Sequence, residues 1–407
     1  MKLNAAKILL TIALLGCAVW LGSNARFYSE AVTSTYFALT LIGATIIHLR
    51  VHPSRRDALL VILGSIFFAA IDFRILHFAP AMVGWLSFAG LSSLAIMGIE
   101  VVWSEGASRT LRLLAFVPSV LFVTSEYFAD DLLKWAATVH QNVYDLYLYT
   151  FDASLHVQIP FFVGQQFARF SGIRTTALFA YIGLSIPIAF VYAGQVRRIR
   201  EKALPYFAAL VLTGPMGILF YNFVPALGPA HLLRQNFPWH PLPIEQAARV
   251  FLEPIALAGP RNAIPSLHMA WVLLAWWYSR GLSWWERGIA LFYLIFVALA
   301  TLGTGEHYFI DLVVAVPFAL FIESLFALNL SWTDAKRMTG IAAGLLSTLA
   351  WLTALRFTPH VFWSTPIVPW ALCVATVVFS LYIESGLGRQ SPPPATEPLA
   401  TQPAPAL

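Results

Sequence analysis

Residues 264–280 read IPSLHMAWVLLAWWYSR, residues 287–304 read RGIALFYLIFVALATLGT, and residues 307–329 read HYFIDLVVAVPFALFIESLFALN. These three apolar runs decide the fold. None shows strand-like alternation, and each approaches the roughly 20 residues that a helix needs to cross a bilayer. The interval between His268 and His307 holds one helix away and one helix back, so both histidines are expected at the same end of the bundle. Asp311 follows His307 by four residues, which places the two on one helix face.

The rest of the chain has the same character. Hydrophobic residues make up 59% of the 407 residues, charged residues 11%, and the mean hydropathy is +0.72. A soluble domain carries roughly 25% charge. Only helices or closed barrels satisfy their backbone inside lipid. The long, non-alternating runs therefore predict an all-α, polytopic integral membrane helical bundle of about 12 spans. Their expected limits are 5–22, 31–48, 57–75, 80–103, 110–126, 173–194, 203–224, 264–280, 287–304, 307–329, 339–356 and 366–384.

The positive-inside rule orients this bundle. With the N-terminus inside, most of the 25 basic residues fall on cytoplasmic segments, and the tight cluster Arg197-Arg198-Ile199-Arg200 lies in a short inner loop. Both termini are expected in the cytoplasm and both histidine motifs at the periplasmic or exterior face, with the bacterial inner (cell) membrane as the expected location. The net charge of +5 is spread over short loops with no long basic stripe, which argues against a nucleic-acid partner. Cys17 and Cys373 both sit in spans and supply neither a disulfide framework nor a zinc site. Leu14-Leu15-Gly16-Cys17 loosely resembles a lipoprotein cleavage box, but the apolar run continues past it, so an uncleaved first span is expected.

The chain divides into four parts. Residues 1–125 form an N-terminal five-span accessory block with no clustered catalytic side chains, and Asp72 and Arg74 are expected to snorkel at a helix end. Residues 126–330 form the catalytic core. Its first segment, 126–170, mixes Asp130, Asp131, Lys134 and Trp135 with Tyr144, Tyr147 and Tyr149, a composition suited to interfacial helices on the outer face. Residues 331–385 add two spans. The Pro-rich tail 386–407 cannot build a core and is expected to be disordered.

The chemistry rests on the two histidine motifs. In Pro265-Ser266-Leu267-His268, the proline suits the first position of a helix. The following N–H groups then attract an anion, Ser266 offers a hydroxyl to a phosphate oxygen, and His268 reaches a leaving group. In Gly305-Glu306-His307-Tyr308-Phe309-Ile310-Asp311, the carboxylate of Asp311 is expected to hold the Nδ1 proton of His307 and aim Nε2 outward as a nucleophile. Taken alone, the first motif is also an ordinary helix start, and the second also a structural His–Asp bond closing a bundle. Together, two histidines and an intramembrane carboxylate converging on one face point to phosphoryl transfer through a phosphohistidine.

Pro-Ser-x-His followed by His-x-x-x-Asp resembles two of the three signature motifs of the type-2 phosphatidic acid phosphatase superfamily, which shares a six-helix core with vanadium haloperoxidases. The resemblance covers roughly residues 150–330. It implies His307 as nucleophile, Asp311 as its partner, His268 as general acid, and neither metal nor cofactor. Two features depart from the common pattern. Ala300 and Thr301 stand where the third motif usually has Ser-Arg, and no Arg-Pro pair of the first motif occurs; Pro225-Ala226-Leu227-Gly228-Pro229 follows the corresponding span. Both departures are similar to the branch containing fungal inositol phosphorylceramide synthase, which implies transfer of a phosphorylated headgroup between lipids.

A phosphorane-like transition state needs cations or N–H donors. With the family arginines missing, Arg261 and Arg234 are the local candidates for phosphate binding beside Ser266. Glu306 and Tyr308 are expected to face water and to pack, respectively, and His231 and His240 to be solvated loop residues. The resulting expectation is a lipid phosphotransferase, inositolphosphotransferase-like, using a phospholipid or polyprenyl phosphate at the outer leaflet. With water as acceptor the same site is a lipid phosphate or polyprenyl (di)phosphate phosphatase. A non-catalytic lipid transporter or scaffold is the reading from another class. The sequence leaves donor, acceptor and oligomeric state open.

Overall fold

The computed structural model describes residues 5–23, 35–75 and 82–388, and among them the chain is helical nearly throughout. The N-terminal block consists of α1 (Ala5–Ser23), α2 (Thr35–Val51), α3 (Arg55–Ile75), α4 (Met82–Trp103) and α5 (Gly106–Val139). Helix α4 lies at its centre, packed against the other four. The side chains of Asp72, Arg74, Asp130 and Asp131, and the tail from residue 389, lie outside the described residues.

The second half begins with β1 (Asn142–Val143), α6 (Asp145–Ser154) and α7 (Ile159–Arg169). It continues with α8 (Ser171–Ile182), α9 (Ser185–Arg198) and α10 (Arg200–Phe223), then α11 (Leu267–Tyr278), α12 (Trp284–Gly303) and α13 (Phe309–Leu325). Two further helices, α14 (Ala335–Phe357) and α15 (Ile367–Gly388), pack on α13 and on each other. The loop 224–263 between α10 and α11 contributes β2 (Ile255–Ala256), which pairs antiparallel with β1.

Six helices among the described residues are long and apolar enough to cross a membrane: Trp85–Trp103, Gly106–Thr124, Arg200–Phe223, Trp284–Gly303, Ala335–Phe357 and Ile367–Leu387. The pair α8 and α9, bent by 55°, adds a seventh if it counts as one span. The expected twelve is not reached. The runs at 5–22 and 31–48 form shorter apolar helices, Ala6–Trp20 and Ala38–Val51. The two motif helices are also short: α11 has 12 residues and α13 has 17, about 18 and 26 Å at 1.5 Å per residue. Apolar run length overstates them because residues 264–266 and 307–308 fold as helix-entry loops.

Burial explains how short helices hold the centre. Nearly all of α13 is buried, through Ile310, Val314, Phe318 and Ile322. Lipid-type side chains instead decorate the rim, where Leu346, Val374, Val378 and Phe379 of α14 and α15 are exposed. The capping box Ser283–Glu286 starts α12, and Glu286 also pairs with Arg50 at 2.5 Å. Arg50 stacks over Phe190 and Trp285, so the end of α2 is tied to the second half. Ser185 Oγ donates to the carbonyl of Leu39 at 2.7 Å along the same seam.

The segment 126–170 corrects a second expectation. Residues 126–139 extend α5 rather than forming a separate interfacial helix. Helix α6 is not laid on a surface: Asp145, Leu148, Tyr149, Phe151 and Asp152 are all buried. Its acidic residues are drawn inward because they accept hydrogen bonds from two loops of the site.

Candidate active site

The start of α11, the end of α12 and the start of α13 meet at one end of the bundle, as the helix-out, helix-back spacing requires. Ser266 is the N-cap of α11 and accepts from the N–H of Met269 at 3.4 Å. Pro265 therefore precedes the cap instead of occupying the first helical position. The same Ser266 Oγ lies 3.2 Å from Nε2 of His307. The ring centroids of His268 and His307 are 6.5 Å apart. His268 stacks on Tyr181, centroids 4.1 Å apart at 20°, and meets Trp271 edge-on. These two aromatic contacts fix its plane.

His307 sits in the loop before α13, and its main-chain N–H donates to the carbonyl of Thr301 at 3.1 Å. Its Nδ1 faces two acceptors. The carbonyl oxygen of Ala263 is 2.9 Å away and Oδ2 of Asp311 is 3.4 Å away. The expected carboxylate is thus present, but the shorter bond goes to the main chain. A carbonyl only accepts, so Nδ1 carries the proton and Nε2 keeps a lone pair pointing at Ser266. Asp311 also accepts from the N–H of Tyr308 at 2.8 Å, which caps α13.

The loop at the first-motif position builds this arrangement. Pro225 accepts from Tyr144 N–H at 2.8 Å, Ala226 accepts from Ala263 N–H at 3.1 Å, and Gly305 accepts from Ala230 N–H at 2.9 Å. Gly228 has φ 128°, and a Cβ there would collide with the main chain of Glu306. Ala226 and Ala230 thus hold Ala263 beside the His307 ring and Gly305 two residues ahead of His307.

Two buried carboxylates in α6 complete the frame. Asp145 accepts from the N–H groups of Leu227 and Gly228, at 3.0 and 2.8 Å, and from the hydroxyl of Tyr308 at 3.0 Å. Burial pushes its carboxyl up to about 6, against the pull of those donors. Asp152 accepts from Phe309 N–H at 2.7 Å and Ile310 N–H at 3.2 Å, at the positive end of α13. Burial raises it well above the usual carboxylate range. Neither residue was singled out by the sequence. Tyr308 packs as expected, with a polar purpose added.

The predicted phosphate-binding cations fare differently. Arg261 is buried, and its guanidinium donates to the carbonyls of His140, Gln141, Leu257 and Gly259. Four main-chain acceptors leave one of its five N–H bonds, so Arg261 braces the loop against β1 and is not an open phosphate clamp. Arg234 is exposed, with φ 48°, in a turn of the outer loop. Thr301, at the missing-arginine position, is buried and donates to Ala298 O. Glu306 is half-buried and lies 4.0 Å from His231, a histidine the sequence reading set aside.

Residues 146–325, from α6 to the end of α13, match the family model of the PAP2 superfamily. The match covers less than half of the chain, and it contains Ser266, His268, His307, Asp311 and Asp152. It supports that superfamily for this region, and with it a phosphatase-type membrane enzyme of lipid phosphatase or phosphotransferase activity in general. No curated protein and no solved structure matches the chain.

Proposed function

We propose that this chain is a membrane lipid phosphotransferase that works through a phosphohistidine on His307. The observation that carries the reading is the polarised imidazole: Nδ1 is tied to Ala263 and Asp311, and Nε2 is left as the nucleophilic lone pair, across from His268. In the first half-reaction Nε2 attacks phosphorus, the bond from phosphorus to the leaving oxygen breaks, and His268 gives that oxygen a proton. In the second, an acceptor hydroxyl loses its proton to His268 and attacks phosphorus, and the P–N bond breaks. One group serves both steps because the second reverses the first.

Ser266 is a phosphate contact in this scheme, since its hydroxyl already stands beside Nε2. Arg234 is an exposed outer-loop cation placed to meet a headgroup in this scheme. Asp311 steadies the imidazolium as charge develops. The departures at Ala300, Thr301 and 225–229 favour a lipid hydroxyl as acceptor, as in the inositol phosphorylceramide synthase-like branch; water as acceptor makes the same machinery a phosphatase. The basic cluster 197–200 favours an active site at the periplasmic or exterior face.

The test uses purified protein in lipid nanodiscs with a phospholipid or polyprenyl phosphate donor, with and without a lipid alcohol. A new phospholipid formed only by protein with intact His307 and His268 supports transfer. Release of inorganic phosphate unaffected by the alcohol assigns the phosphatase. Turnover that survives both His307→Ala and His268→Ala removes the mechanism.

A further inference from the structure

The N-terminal block holds a second set of convergent polar groups, which phosphoryl transfer does not use. His48 lies in the last turn of α2, Asp57 in the first turn of α3, and Glu100 near the end of α4. One ligand atom from each lies within 4.8 Å of the other two. Glu100 lies 43 residues beyond Asp57, so local spacing in residues 1–125 does not bring it to His48 and Asp57.

His48 is the unusual member. It is fully buried, at 0% exposure, and neither ring nitrogen has a hydrogen-bond partner among the described residues. Buried polar groups nearly always have one. His52, one turn further on, has its Nε2 buried without a partner as well. It lines a cavity of about 340 Å³ together with Ser54, Arg56, Asp57, Glu100 and Arg112. Arg112 sits 2.9 Å from Glu100 and offsets one of the two carboxylates. That ion pair accounts for Glu100 but leaves both nitrogens of His48 unexplained.

We propose that His48, Asp57 and Glu100 bind a divalent first-row transition-metal ion. The donor set selects the class of ion. One imidazole with two carboxylates suits zinc or manganese, whereas calcium wants six to eight oxygens. Zinc sits about 2.0–2.2 Å from such ligands, which puts ligand atoms about 3.3 Å apart. From separations within 4.8 Å, the side chains need to close in by at most about 1.5 Å around the ion. Three protein ligands leave a position open toward the cavity. The ion pins together the ends of α2, α3 and α4, and α2 is the helix that Ser185 and Glu286 tie to the matched core.

The experiment strips the full-length protein in detergent with a chelator and titrates it with zinc chloride, then manganese chloride, by calorimetry and thermal melting. The expected result is about one ion per chain with a raised Tm, and an affinity reduced at least about tenfold in His48→Ala and in Asp57→Asn. His240→Ala, an exposed loop control, binds as the native protein does. Lipid-phosphate turnover of His48→Ala stays at the native level. Should His48→Ala not fold, His48→Gln replaces it and the native titration still decides. Binding well below one ion per chain with no shift in Tm overturns the site and leaves an Arg112–Glu100 ion-pair cluster. Equal affinity in native and His48→Ala protein overturns it too.

Discussion

The Nδ1 of His307 is 2.9 Å from the carbonyl oxygen of Ala263, closer than it is to the carboxylate of Asp311. The tautomer of His307, the proposed nucleophile, is therefore set by the main chain of the loop before α11. The carboxylate adds charge to an imidazole that is already oriented.

Asp311→Asn separates these two roles. Where a carboxylate alone sets the tautomer of a catalytic histidine, its amide costs about 10⁴ in kcat. Here the Ala263 carbonyl survives the change, and the amide oxygen still accepts from Tyr308 N–H. The expected loss is about 10²-fold in kcat, roughly 2.7 kcal/mol, with KM little changed. A fully active Asp311→Asn enzyme shows the carboxylate to be structural only.

Asp145 joins the 227–228 loop to Tyr308, so Tyr308→Phe removes one hydroxyl donor from a buried carboxylate. A hydrogen bond to a charged group contributes about 1.5–3 kcal/mol. The expected outcome is a lowered Tm in detergent and a reduced kcat through the displaced 305–308 loop. Gly228→Ala strains the same joint at positive φ and is expected to be worse, because its new Cβ meets the main chain of Glu306. Native Tm in both variants means that this frame carries no strain-sensitive load.

Arg261 and Arg234 part company in kinetics. Arg261→Lys cannot reach four carbonyls, so it is expected to lower Tm nearly as far as Arg261→Ala does. Arg234→Ala is expected to keep its Tm and raise KM by up to about fivefold, the size of one exposed charge contact. An unchanged KM in Arg234→Ala returns that residue to the solvated loop.

Inhibitors probe the chemistry without mutation. Vanadate mimics pentavalent phosphorus and is expected to inhibit in competition with the lipid phosphate. A chelator is expected to leave kcat unchanged while lowering Tm through the site at His48. Loss of turnover on chelation, restored by metal, contradicts a metal-free phosphohistidine route.

The sequence made the histidine pair legible because helix-out, helix-back arithmetic needs only length and hydropathy. The i,i+4 spacing did the same for Asp311. The resemblance over 150–330 agrees closely with the matched region, 146–325. What sequence reading missed depends on contacts remote in the chain. Asp152 lies 157 residues from the helix end it caps, and Asp145 lies 163 from Tyr308. Local composition made both look like headgroup-region residues. Arg261 stood near the motif in sequence, yet its direction is set by carbonyls of residues 140 and 141. The twelve expected spans are not confirmed among the described residues, partly because two of the runs include the buried loops that enter α11 and α13.

The most direct measurement is a rapid-quench labelling of the native enzyme with a ³²P-labelled lipid phosphate, followed by peptide mapping. The account predicts an acid-labile, base-stable label on the peptide containing His307, formed at least as fast as turnover, and absent from His307→Ala. Full turnover with no covalent label, or a label retained in His307→Ala, contradicts it.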